Sequence, residues 1–255
     1  MTKFQNRVLI LVSVLAITFG VVPKVSAMHI MEGFLPAAYC ISWGILCLPF
    51  LAHGFFSLKK VLTKHRKTLI IYAMAGAFAF VLSSLKIPSL TGSSSHPTGT
   101  GLGAILFGPS AMSIIGVIVL LFQAILLAHG GLTTLGANTF SMAIAGPLLS
   151  FGVYKLCQRL HVKKTFSVFM ACALGNLFTY CVTSFQLALA YPSETGGSLV
   201  SLLKFLGVFA VTQIPLALIE GIISAVVIME LETYAKTELN ELGYFKGGSF
   251  NVRQK

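Results

Sequence analysis

The residue of this sequence that points most directly to chemistry is His29. If a secretory signal peptide ends at residue 27, His29 becomes the second residue of the mature chain. A free amine, the following amide nitrogen and Nδ1 of a second-position imidazole can close two fused chelate rings around one metal ion. The alternative is that His29 is only an exposed terminal residue.

Residues 1–27 have the features of a signal peptide. Lys3 and Arg7 form a basic start, and the apolar run 8–22 is too short for a comfortable membrane span. Small residues at Val25 and Ala27 then fit a cleavage site. The alternative is an uncleaved first helix.

A terminal chelate of this kind supplies three nitrogens in one plane, and His96 is the candidate for the fourth. His96 lies in a segment rich in Ser and Gly, 92–108. A square-planar nitrogen site is typical of Cu²⁺ or Ni²⁺, and Co²⁺ adopts it under constraint. The amide must lose its proton, which a late first-row cation promotes and Mg²⁺ or Ca²⁺ does not.

Two further polar residues have open roles. His129 lies in a His-Gly-Gly-Leu turn, where it is either a loop residue or part of an access path for the metal. Glu220 lies in the middle of an apolar run, where a carboxylate usually faces the interior of a helix bundle. Glu220 either pairs with a buried polar group or lies on the ion path.

The composition indicates a membrane protein that must hold these residues on helices. Of the 255 residues, 56% are hydrophobic and 10% are charged, whereas soluble domains carry roughly 25% charged residues. A soluble enzyme is therefore excluded. The formal net charge of +11 arises largely in short loops between apolar runs, so it indicates membrane topology and not nucleic-acid binding.

Apolar runs near the ~20 residues that cross a bilayer recur along the chain. They cover 34–58, 68–85, 109–128, 137–157, 165–191 and 203–229. The intervening stretch 92–108 has only a short apolar part, so hydropathy alone predicts six spans after the signal peptide.

The basic loops favour a seventh crossing. Lys and Arg cluster at 59–67 and 158–164, and cytoplasmic loops carry such an excess. With the mature N-terminus outside, an extra crossing within 92–108 places both loops and the tail 236–255 inside. The sequence therefore predicts an all-α polytopic bundle of about seven transmembrane helices, with the short third one inside the bundle. A re-entrant loop at 92–108 is the alternative.

Several catalytic motifs are missing from the sequence. It contains no G-x-x-x-x-G-K-[ST] phosphate-binding loop, no HExxH and no GxSxG. We therefore expect that the protein is not an enzyme, and that any ATP hydrolysis occurs in a partner chain.

The segment 28–36, Met-His-Ile-Met-Glu-Gly-Phe-Leu-Pro, resembles the mature N-terminus of the CbiM/NikM family. These proteins are the substrate-capture subunits of energy-coupling-factor cobalt and nickel transporters. The segment 93–100, Ser-Ser-Ser-His-Pro-Thr-Gly-Thr, resembles the family's second motif, and the Gly-Pro turn at 108–109 and the His-Gly-Gly loop at 129–131 continue it.

The resemblance covers 28–235 and implies a seven-helix, membrane-embedded substrate-capture domain, followed by a cytoplasmic tail. It implies that one Co²⁺ or Ni²⁺ ion is held by the Met28 amine, by the backbone and imidazole nitrogens of His29, and by His96. The metal is the transported substrate, and no organic cofactor is expected.

The resemblance also implies the function and the partners. The protein would capture Co²⁺ at the outer side of the cell membrane and deliver it to an ATP-driven uptake complex, supplying cobalt for cobalamin biosynthesis. The partners would be a transmembrane coupling subunit like CbiQ, an ATPase like CbiO and a small membrane subunit like CbiN. The lack of a fused C-terminal extension favours cobalt. The alternatives are Ni²⁺ uptake by the same mechanism and a membrane assembly protein without transport function.

Overall fold

The computed structural model describes residues 29–64, 69–85, 87–88, 94–241 and Tyr244. The predicted signal peptide and Met28 lie outside the described residues. In chain order the helices are α1 (Ala37–Lys64), α2 (Leu69–Ser84), α3 (Thr100–Phe107), α4 (Pro109–Leu126), α5 (Leu135–Asn138), a π-helix (Thr139–Ala145), α6 (Gly146–Arg159), α7 (Lys164–Ala190), α8 (Gly197–Tyr234) and α9 (Lys236–Glu241). Two short strands, β1 (Ile87–Pro88) and β2 (Ser94–Ser95), pair antiparallel.

Among the described residues, five helical stretches are long and apolar enough to cross a membrane: Ala37–Thr63, Pro109–Leu126, Leu135–Arg159, Lys164–Ala190 and Gly197–Tyr234. Helix α2 is apolar but has only 16 residues. The eight residues of α3 extend over about 12 Å at 1.5 Å per residue. The predicted polytopic helix bundle is therefore confirmed, whereas the count of seven crossings stays a prediction.

The short helix α3 lies in the interior of the bundle, and all eight of its residues are buried. Gly99 precedes it with φ +67°, and a Cβ on Gly99 would lie 2.8 Å from the Cα of Ala79, so only glycine fits this approach. Gly108 has φ +84° and ends the helix, and Pro109 begins α4. Within the predicted segment 92–108, α3 is therefore inside the bundle, whereas its role as a third crossing stays a prediction.

Helices α7 and α8 form an antiparallel pair that defines the two ends of the bundle. At one end, the Ser201 hydroxyl donates to the carbonyl oxygen of Tyr191 at 2.6 Å. At the other end, the Lys164 ammonium pairs with the Glu232 carboxylate. The basic loop 158–164 therefore lies at the end opposite Tyr191.

Helix α1 runs in the same direction as α8. Near its start, the Tyr39 hydroxyl donates to the carbonyl oxygen of Leu189 at 2.9 Å, at the last turn of α7. Lys59 and Lys60 follow about 30 Å further along the helix. The basic residues at the end of α1 and those of the loop 158–164 therefore share one end of the bundle.

The outer face of the bundle is apolar. On α1 a row of large side chains is exposed, namely Ile41, Ile45, Leu48, Phe55 and Phe56. Apolar surface of this extent is unfavourable in water but is what a helix facing lipid presents. The exposed apolar side chains are therefore those expected of a multi-pass membrane protein.

Candidate metal centre

Three imidazoles converge near the ends of α1, α3 and α4. His29, His96 and His129 are all buried, and one nitrogen from each lies within 4.8 Å of the other two. The ring centroids are 4.8 Å apart for His29 and His96, 4.9 Å for His29 and His129, and 4.7 Å for His96 and His129. Histidine nitrogens at this spacing are able to bind one late transition-metal ion.

The tautomers of His29 and His96 are assigned from the hydrogen-bond partners of their outer ring nitrogens. His96 Nδ1 lies 2.7 Å from the carbonyl oxygen of Pro97, which only accepts hydrogen bonds, so Nδ1 carries the proton and Nε2 does not. His29 Nε2 lies 3.0 Å from the Met142 thioether sulfur, which also only accepts. In the neutral rings, the remaining nitrogens are therefore acceptors.

These two acceptors, His29 Nδ1 and His96 Nε2, are 3.2 Å apart. Two lone pairs repel at this distance unless a cation or a proton lies between them. Two nitrogens at right angles around a metal, each about 2.0 Å from it, are about 2.8 Å apart. The observed separation is therefore close to that of neighbouring ligands of one ion.

The backbone next to His29 is fixed by α5 and by the loop that precedes it. Asn138 accepts from the Ile30 N–H at 2.9 Å and donates to the Ile30 carbonyl at 3.0 Å. The Thr134 hydroxyl donates to the same carbonyl at 2.6 Å. Because these three hydrogen bonds are buried, they hold the chain one residue after His29 in a single position.

A second contact between the same segments lies at the surface. The Glu32 N–H donates to the Gly130 carbonyl at 3.2 Å, and the Glu32 carboxylate accepts from the Thr133 N–H at 3.2–3.3 Å. Hydrogen bonds from Thr133 lower the pKa of the Glu32 carboxyl. A Cβ on Gly131 would lie 2.5 Å from the Glu32 Cα, so the close approach requires glycine there.

The loop that carries His96 is held by Glu220 from α8. The Glu220 carboxylate is fully buried. Its Oε1 accepts from the Thr98 hydroxyl at 2.8 Å and from the Gly99 N–H at 2.9 Å. Its Oε2 accepts from the Thr98 N–H at 2.6 Å and from the Asn176 amide. Of the two roles that the sequence left open for Glu220, the structure shows pairing with buried polar groups.

His129 was not predicted as a site residue, although the sequence allowed it to line an access path. It follows α4, where Ala128 has φ +45° and the His129 N–H donates to the Gln123 carbonyl at 3.1 Å. This reversal turns the imidazole toward His29 and His96. No spacing in the sequence relates the three histidines, so only the packing of the helices brings His129 to the others.

The predicted ligand set is thus partly described. His29 and His96 lie side by side, as a shared metal site requires, whereas Met28 and its amine lie outside the described residues. The side-chain donors that converge among the described residues are the imidazole nitrogens of His29, His96 and His129. The roles of Met28, His29 and His96 as metal ligands stay predictions.

Comparison with known proteins identifies the family of this chain. The family described as the cobalt uptake substrate-specific transmembrane region, CbiM, matches residues 29–237. The chain is 66% identical over 248 residues to the "Cobalt transport protein CbiM" of Lachnoclostridium phytofermentans, covering 97% of this chain and 99% of the relative. It is 58% identical over 235 residues to the protein of the same name from Ruminiclostridium cellulolyticum, covering 92% and 94%.

A solved structure described as a truncated transition metal transporter has the same fold. It superposes with a TM-score of 0.70 at 27% sequence identity, over 81% of this chain and 99% of that one. Proteins of this family are components of membrane transporters and not enzymes, so the expectation that the chain is not an enzyme is confirmed. The chain belongs to the CbiM family of cobalt transport proteins.

Proposed function

We propose that the protein captures one Co²⁺ ion through four nitrogens: the Met28 amine, the amide nitrogen and Nδ1 of His29, and Nε2 of His96. The observation that supports this most is the 3.2 Å separation of His29 Nδ1 and His96 Nε2. The amide and Nδ1 of His29 belong to one chelate with the amine, so His96 completes the plane.

The captured ion is then delivered to an ATP-driven energy-coupling-factor complex, and the cobalt supplies cobalamin biosynthesis. A coupling subunit like CbiQ, an ATPase like CbiO and a small subunit like CbiN are the proposed partners. This part of the proposal rests on membership of a cobalt transport family and on the lack of an ATP-binding loop motif in the sequence.

The site faces the outside of the cell membrane, and the C-terminus faces the cytoplasm. Lys59, Lys60 and the loop 158–164 share one end of the bundle, and cytoplasmic ends carry an excess of Lys and Arg. The segment that begins at His29 and leads into α1 lies at the opposite end. Co²⁺ would therefore reach the imidazoles from outside.

The test is to change the position of the amine alone. The mature protein is prepared with Met28 as its first residue, checked by N-terminal sequencing, and compared with a variant that has one extra Ala before Met28. Because the extension makes His29 the third residue, the chelate would need two deprotonated amides and would leave no position for His96. We expect near-complete loss of equilibrium Co²⁺ binding with normal membrane insertion.

The matched control is the substitution His161→Ala, which leaves the N-terminus unchanged and lies at the opposite end of the bundle. It should bind Co²⁺ like the unchanged protein. Unchanged Co²⁺ binding by the extended variant would rule out the terminal chelate. Competition by Ni²⁺ in the same assay tests the alternative of nickel uptake, which the all-nitrogen donor set allows.

A further inference from the structure

The third imidazole, that of His129, is nearly equidistant from the other two. Its centroid is 4.9 Å from that of His29 and 4.7 Å from that of His96. Its ring is tilted by 54° and 69° to theirs, whereas those two are within 27° of each other. A ligand that lay in the plane of the four proposed nitrogens would be next to only one of these two rings and therefore nearer to it than to the other.

The in-plane positions are also occupied in the proposed site. The terminal amine, the His29 amide and His29 Nδ1 take three of them, and His96 Nε2 takes the fourth. A third imidazole whose ligating nitrogen lies within 4.8 Å of the other two can therefore reach the same ion only from above or below the plane.

Building on the proposed function, we infer that His129 is an apical ligand of the captured ion and that it selects Co²⁺ over Ni²⁺. In a square-planar nitrogen field, low-spin Ni²⁺ holds an electron pair in the orbital that points along the apical axis, and this pair repels an incoming lone pair. Low-spin Co²⁺ has one electron fewer there and forms a bond with an apical nitrogen. An apical imidazole thus stabilises bound Co²⁺ and does little for Ni²⁺.

The backbone around His129 is held well enough for such a role. The His129 N–H is bonded to the Gln123 carbonyl at 3.1 Å, and the next residue, Gly130, accepts from the Glu32 N–H. His129 itself is only 4% exposed. A ligand fixed by its own surroundings loses little conformational entropy on binding, so it discriminates between ions by their electronic preference.

The experiment compares His129→Gln and His129→Ala with the unchanged mature protein, all with Met28 as the verified first residue. Equilibrium dissociation constants are measured for Co²⁺ and for Ni²⁺ under anaerobic conditions. We expect Co²⁺ affinity to fall by about tenfold and Ni²⁺ affinity to change by less than about threefold, so the preference for Co²⁺ shrinks. His53→Ala, on an exposed position of α1, is the matched control and should change neither constant.

Electron paramagnetic resonance of the Co²⁺-loaded protein gives a signal that the His129 variants would leave unchanged if His129 had only a structural role. The unpaired electron of low-spin Co²⁺ lies along the apical axis, so an apical nitrogen splits the cobalt lines. This nitrogen splitting should be present in the unchanged protein and absent in both His129 variants. The Gln variant keeps most of the side-chain volume, so its folding can be checked by thermal unfolding.

Equal loss of Co²⁺ and Ni²⁺ affinity in the His129 variants, or nitrogen splitting that persists in them, would overturn the inference. The failure of the proposed function looks different. In that case His96→Ala and the N-terminal extension would leave Co²⁺ binding unchanged, whatever the His129 variants do.

Discussion

Replacing Glu220 with Gln tests whether this carboxylate positions the loop that carries His96. Two backbone N–H groups, of Thr98 and Gly99, donate to the carboxylate. The Thr98 hydroxyl and the Asn176 amide also donate to it. Gln keeps the shape of the side chain but turns one of the two acceptor atoms into an NH₂ donor.

The structure sets the size of the effect. With the NH₂ on the Oε1 side, the Thr98 hydroxyl can rotate to accept, but the Gly99 N–H loses its acceptor. With the NH₂ on the Oε2 side, Asn176 can turn its amide to accept, but the Thr98 N–H loses its acceptor. In either case one buried N–H loses its partner, at a cost of about 1–3 kcal/mol.

The loop that carries His96 can avoid this cost by moving away from Glu220, and His96 then leaves its binding position. Co²⁺ affinity in that case falls by a factor between about 5 and about 150. We expect a value of about tenfold for Glu220→Gln, because part of the cost appears as a lower free energy of unfolding. Glu220→Ala, which removes all the acceptors, should lower both quantities further.

The assay is equilibrium Co²⁺ binding by Glu220→Gln, by His96→Ala and by the double variant. Because Glu220 acts through His96 in this reasoning, its substitution should cost almost nothing once His96 is absent. Glu230→Gln, an exposed acid on the same helix, is the matched control. Unchanged affinity of Glu220→Gln, or losses that add in the double variant, would refute the reasoning.

Four further outcomes are expected. His96→Ala should weaken Co²⁺ binding without abolishing it, because the terminal chelate remains, and His53→Ala should leave affinity nearly unchanged; an equal loss in both would place the site elsewhere. Lys163→Cys, in a background without the native cysteines, should resist membrane-impermeant thiol reagents added to intact cells, and labelling from outside would contradict the proposed orientation. Co²⁺ affinity should fall on acidification, since the amine and imidazoles must be deprotonated to bind; binding independent of pH would argue against nitrogen ligands. Because the pKa of Glu32 is lowered, its carboxylate stabilises the fold above its ordinary pKa, and this contribution is lost as the pH falls through the lowered value. Glu32→Gln should therefore unfold at a lower temperature than the unchanged protein at neutral pH but not in strong acid, and an equal difference at both would exclude the carboxylate as the cause.

Much of the fold follows from local properties of the sequence. The apolar runs predicted at 165–191 and 203–229 correspond to α7 and α8, because the length of a hydrophobic run is enough to specify a membrane helix. For a related reason the sequence predicts that the polar segment 92–108 lies in the interior, since lipid cannot satisfy its backbone groups. The start of α3 within it did not follow, because Gly99, which precedes this helix, acts through a close contact with Ala79 of α2.

The residues of the candidate site also fall into those that the sequence identifies and those that only the structure identifies. The sequence by itself singled out His29, since its use as a ligand depends on its covalent distance from the predicted mature terminus, and it offered His96 as the fourth donor. Only the tertiary structure brought His129 to these two and showed what Glu220 does. His29 and His96 are 67 residues apart in the chain, and Glu220 and Thr98 are 122 apart. Contacts over such separations depend on how the helices pack, and hydrophobic periodicity does not encode which polar side chains meet inside the bundle.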